Sequence, residues 1–134
     1  MIGMKETSEN ERFERGEELL KKIHGETGQN VLKELSQVSP DLSKFITEFG
    51  FGDIYSRPGL ELRERQIATI ASLITLGDAE AQLKVHIKAG LNVGLAKEEI
   101  IEVILQMSLY AGFPRTLNAI TAAKEVFTDH PPLK

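Results

Sequence analysis

Four residues in this chain have the types and settings that small-molecule chemistry needs: His86, Arg57, Gln66 and Tyr110. Imidazole titrates near neutral pH in its ordinary state, so His86 is the side chain best suited to hand a proton to a reacting atom. On a helical wheel it falls in the arc of Ala79, Leu83, Ile87 and Gly90, with Lys84, Lys88 and Asn92 on the other side. His86 therefore points inward, either as a core histidine with one satisfied hydrogen bond or as a proton donor in a buried pocket. Arg57 precedes the rigid Pro58-Gly59 pair, where a guanidinium can grip a carboxylate through two parallel hydrogen bonds; the alternative is a solvated loop cation. Gln66 sits at the edge of the stripe Ile67, Ile70 and Ile74. It is either a border position or a polar group lining a pocket, because a buried amide needs partners. Tyr110 closes an apolar stretch and offers a hydroxyl, although most such tyrosines pack with a bonded tip.

Several chemistries are excluded or weakened at once. There is no cysteine, which removes disulfides, thiolate metal sites, a thiol nucleophile and dithiol redox chemistry. His24, His86 and His130 are far apart, and none has a ligand partner three or four residues on, so no metal site is expected. A net charge of −4 lacks the basic footprint of a nucleic-acid binder. The longest uncharged apolar run, Ile67 to Gly77, is too short to span a bilayer. Residues 1–10 carry no apolar stretch of signal-peptide type, so the cytoplasm is the expected location.

The elements that must position these residues are helices. With 134 residues, 41% of them apolar and 27% charged, the chain fits one globular domain, 1–134, with fraying expected at 1–10 and 128–134. Ser8 or Asn10 suits the cap of a first helix that carries Phe13, Leu19, Leu20 and Ile23 and ends at Gly25. A short second helix spans about Asn30 to Val38. Ser39-Pro40 then opens a third, with Leu42, Phe45, Ile46 and Phe49 at helical spacing and Gly50 and Gly52 loosening its end. Four more follow, at about Glu61 to Leu76, Ala79 to Val93, Lys97 to Ala111 and Pro114 to Phe127. The helix at Lys97 to Ala111 starts after Ala96, a poor cap, and is apolar nearly all round through Ile100, Ile101, Val103, Ile104, Leu105 and Leu109. Such a helix lies in the core centre, or another subunit seals it. The expected fold is an all-α bundle of about six to seven helices.

In order and spacing, several segments resemble the carboxymuconolactone decarboxylase family. They are Phe49-Gly50-Phe51-Gly52, Ser56-Arg57-Pro58-Gly59-Leu60, Ile70-Ala71-Ser72-Leu73, His86 to Asn92 with Gly94-Leu95, Tyr110 to Pro114 and Asn118-Ala119. The likeness runs from about Phe13 to Phe127. It implies an all-α oligomer, a homotrimer or homohexamer. Related proteins of the alkylhydroperoxidase-D type carry Cys-x-x-Cys-x-x-x-His with an upstream Glu. Here both cysteines are missing around Asp78 to Gln82, Gln66 stands near the place of the Glu, and His86 alone remains, which rules out thiol peroxidase activity. The resemblance further implies a decarboxylase that needs no cofactor, acting on 4-carboxymuconolactone or a related unsaturated lactone acid. His86 would be the acid and Arg57 the anion clamp, with Gln66 or Tyr110 donating to the enolate. The competing expectation is a non-catalytic oligomer of the same fold that binds a small acid.

Overall fold

A computed structural model of the chain describes residues 2–129, with side chains from residue 11 onward. Helices make up the ordered elements, with no strand among the described residues: α1 (Ile2–Val38), α2 (Pro40–Phe45), a π-helix (Ile46–Tyr55), α3 (Leu62–Leu76), α4 (Glu80–Asn92), α5 (Lys97–Ala111) and α6 (Phe113–Asp129). They form two compact units, Met1–Leu60 and Glu61–Lys134. The tail at His130 lies outside the described residues.

In the first unit, α1 is already helical at Ile2, so Ser8 and Asn10 lie inside the helix and do not start it. The break expected at Gly25 is present as a sharp kink with φ 67° and ψ −160°, a left-handed φ that glycine adopts without the Cβ penalty. Helix resumes directly after the kink, earlier than Asn30. Ser39 caps α2, its hydroxyl accepting from the Leu42 N–H at 3.3 Å, and Pro40 takes the first helical position. The expected loosening at Gly50 and Gly52 does not occur; the chain continues as a π-helix to Tyr55. The reason for the small residue at Gly52 is packing: a Cβ there would lie 2.5 Å from the Arg12 carbonyl oxygen. Gly16 plays the same part from the α1 side, where a Cβ would collide with the carbonyl oxygen of Thr47. Two glycines thus let α1 and the π-helix approach backbone to backbone. Arg12 then locks the pair, holding both oxygens of Asp53 through Nε at 3.0 and 3.1 Å and Nη2 at 2.8 Å.

The second unit is a four-helix arrangement around one apolar core. Ile70 and Ile74 from α3, Leu83 and Ile87 from α4, and Ile100 and Ile104 from α5 are all nearly or fully enclosed. Burying each such side chain stabilises the fold by about 1.5–3 kcal/mol. From α6, Ala119, Ala122 and Ala123 line the buried face, and their small size brings that helix close to the core. Gly77 closes α3 in the left-handed conformation, φ 81°, its N–H bonded to Leu73 O at 3.3 Å. This turn sends the chain into α4 and sets α3 and α4 side by side, the arrangement on which the site depends.

The all-round apolar helix is α5, and within the chain it is not central. Ile100 and Ile104 are buried, but Leu105, Leu109 and Tyr110 at its far end are exposed by 59%, 78% and 76%. Its start is better secured than Ala96 suggests. Glu99 reaches back to accept from the Ala96 N–H at 2.9 Å, the half of a capping box that needs no hydroxyl.

Candidate functional site

Gln66 and His86 meet across α3 and α4, with Gln66 Oε1 3.2 Å from His86 Nδ1. The sequence reason is periodicity. Gln66 lies four and eight residues before Ile70 and Ile74 and shares their buried stripe, so it is drawn into the core with them. On α4, His86 stands beside Leu83, Ile87 and Gly90, which are buried, and is itself half-buried. Gln66 has no exposed surface, well beyond the edge position that the wheel gives it. Its amide nitrogen is enclosed and has no hydrogen-bond partner among the described residues.

Burial lowers the His86 pKa from its ordinary value, because an imidazolium loses hydration there and Gln66 brings no negative charge to compensate. At neutral pH the ring of the free protein is therefore chiefly neutral. Glu80, the nearest carboxylate in sequence on the same helix, is turned the other way: it lies 3.7 Å from Lys84, which also pairs with Glu125 of α6 at 2.5 Å.

The remaining candidates fall as follows. Tyr110 is exposed at the end of α5, in the same unit as His86 and Gln66. Arg57 belongs to the first unit, in the exposed turn after the π-helix, where its N–H bonds Ile54 O at 3.1 Å and Pro58 and Gly59 follow in extended reach of solvent. The second unit also contains a cavity of about 40 Å³ whose lining includes Leu73, Leu83, Arg115 and Asn118. That volume suits a water molecule and excludes a lactone acid. A groove of about 490 Å³ in the first unit is large enough for a ligand; its lining carries Lys44 beside Glu14 and Glu48, and it contains none of the four candidate residues.

Two arrangements escape the sequence reading. Arg63 of α3 holds Glu99 of α5 through both terminal nitrogens, at 3.1 and 2.7 Å, and also bonds Gly94 O at 2.9 Å. The sequence carries no local signal for this pair, since Arg63 and Glu99 stand on different helices. His24 is buried edge-on against Phe51, ring centres 5.5 Å apart, and nothing in the spacing of the two announces it. Among the described residues no three His, Asp or Glu side chains gather as a metal site, and no helix is long and apolar enough to cross a membrane.

The sequence model of the Carboxymuconolactone decarboxylase family matches residues 40–125, a span that holds all four candidate residues. The chain is 39% identical over 123 residues to the 4-carboxymuconolactone decarboxylase of Acinetobacter baylyi, covering 91% of each protein. It is 30% identical over 99 residues to an uncharacterized 15.0 kDa protein of Paracoccus denitrificans, covering 73% of this chain and 74% of the other. With the nitrosuccinic acid decarboxylase of Metarhizium robertsii it shares 28% identity over 118 residues, 87% of this chain and 82% of the relative.

Proposed function

Because the chain belongs to the carboxymuconolactone decarboxylase family, we propose that it removes CO₂ from 4-carboxymuconolactone or a related unsaturated lactone acid, with His86 delivering the replacing proton. The observation that carries this reading is the half-buried His86, held at Nδ1 by Gln66, in a chain so similar over nearly its whole length to a protein named for that reaction.

The substrate itself provides the electron sink. The departing carboxylate sits on the γ carbon of the unsaturated lactone, so the electron pair left by CO₂ runs through the ring double bond to the lactone carbonyl. The resulting dienolate takes a proton at its α carbon. The protein then has three tasks: to hold the second carboxylate, to favour the oxyanion, and to supply the proton. We assign the first to Arg57, whose guanidinium suits a carboxylate. We assign the last to His86. A substrate that enters as an anion favours the charged imidazolium beside it, offsetting the burial that keeps the free ring neutral. Proton transfer to carbon returns the ring to its neutral form, and solvent recharges it. Tyr110 is the candidate donor to the developing enolate oxygen. No cofactor enters this scheme, and with no cysteine in the chain a thiol peroxidase activity has no nucleophile.

The protein in this reading is a cytoplasmic homotrimer or homohexamer. The exposed apolar residues Leu105, Leu109, Phe113 and Leu117 at the end of α5 and the start of α6 support self-association, since water-facing apolar clusters of this kind mark contact surfaces. The test of function is direct turnover of 4-carboxymuconolactone by the purified protein, read as loss of substrate and release of CO₂. Tight binding of lactone acids with no turnover would replace this reading by that of a small-acid-binding protein.

A further inference from the structure

We propose that Gln66 is a positioning residue that fixes the proton of His86 on Nδ1, so that Nε2 is the nitrogen that gains and loses the proton during catalysis. This rests on the reading of His86 as the acid, and it changes the part played by Gln66 from substrate contact to support.

Two observations and one rule of hydrogen bonding lead to it. Gln66 has no exposed surface, so its amide cannot touch a substrate without the core opening. Its oxygen lies 3.2 Å from His86 Nδ1, within hydrogen-bond reach. A carbonyl oxygen only accepts, so the ring nitrogen facing it carries a hydrogen whether the imidazole is neutral or charged. The neutral ring then has Nδ1–H and a bare Nε2, and the charged ring has both. The one proton that comes and goes is on Nε2. When the Nε2 proton moves to the substrate carbon, the Nε2–H bond breaks and the new C–H bond forms, and the ring is left as the same Nδ1–H tautomer it had at rest. No tautomer exchange is needed between turnovers.

The choice of an amide has a consequence. A carboxylate in the same place would also accept from Nδ1–H, but its charge would hold the imidazolium and make Nε2 slow to release its proton. Gln66 orients the ring without fixing its charge.

The experiment is a long-range ¹H–¹⁵N correlation spectrum of the whole protein labelled at histidine, recorded above the His86 titration and assigned with His86→Ala. We expect a protonated, pyrrole-like Nδ1 and a bare, pyridine-like Nε2. The reverse pattern, or two nitrogens averaged between the forms, overturns the proposal, and neither outcome depends on activity. Gln66→Met should give the averaged pattern and lower kcat about tenfold or more while KM stays within about twofold. Gln66→Glu should keep the Nδ1–H form and raise the His86 titration by about one unit or more. A Gln66→Met protein that folds with the wild-type nitrogen pattern contradicts the proposal. Should His86→Ala leave turnover intact while the wild-type nitrogens show the expected pattern, the catalytic reading fails and the positioning role stands as structural only.

Discussion

Arg63 and Glu99 form a two-pronged pair between α3 and α5, and the same carboxylate closes the start of α5 by accepting from Ala96. The Arg63 hydrogen bond and the Ala96 N–H together hold the Glu99 carboxyl at about 2, below the ordinary carboxylate range. A depressed carboxylate contributes stability that is present above its unfolded pKa and lost as pH falls toward its folded one. The second unit should therefore weaken between about pH 4.3 and pH 2. Glu99→Gln should remove part of that dependence. Thermal unfolding across this range, wild type against variant, checks it; parallel curves would show that the pair adds nothing to acid stability.

The close approach of α1 to the π-helix depends on Gly16. Gly16→Ala places a methyl group into the Thr47 carbonyl and forces backbone to move, a change expected to cost about 1–3 kcal/mol. Gly50 in the π-helix has no heavy atom within 4 Å of its would-be Cβ. Gly50→Ala should be close to neutral, and urea titrations of the two variants against the wild type measure both effects. Equal effects at the two positions would refute the packing role given to Gly16.

Self-association should depend on the exposed apolar end of α5. Light scattering of the wild type at micromolar concentration is expected to show a trimer or hexamer. Leu109→Asp, at a position exposed by 78% within the chain, should shift the mass toward monomer, because a charge enters a desolvated contact. A wild type that is only monomeric contradicts the proposal of an oligomer.

The pH dependence follows from the burial of His86. Its pKa is lowered, and the active form is the protonated one, so kcat/KM should fall as pH rises, with a midpoint below the ordinary histidine value of about 6.5. The midpoint in kcat should lie higher, because the bound anion favours the imidazolium. A kcat/KM profile that rises through this range would mean that His86 works as a base.

Arg57→Ala should raise KM with little change in kcat if the guanidinium grips the substrate equally in ground and transition states. Steady-state kinetics on the lactone acid decides this. An unchanged KM would return Arg57 to the role of a solvated loop cation.

Much of the fold was legible because apolar spacing and glycine punctuation act locally. The stripe of Ile70 and Ile74, the stop at Gly77 and the cap at Ser39 follow from the residues themselves. The inward face of His86 was legible for the same reason. Gln66 was only half so: a wheel gives direction but not depth, and full burial depends on what packs against that stripe, where α4 brings His86 to it. The packing role of Gly52 was not legible, because the need for a small residue there comes from Arg12, some forty residues away in sequence. The Arg63–Glu99 pair is hidden for the same reason, since no local rule links residues on different helices.

The measurement that bears most directly on the central claim is turnover of 4-carboxymuconolactone by the wild-type protein and by His86→Ala under the same conditions. Loss of general acid catalysis should lower the rate by about 10²–10⁴-fold. The variant should keep its fold, because His86 is only half-buried and its loss leaves the core residues Leu83 and Ile87 in place. A folded His86→Ala protein that decarboxylates at the wild-type rate would contradict the account.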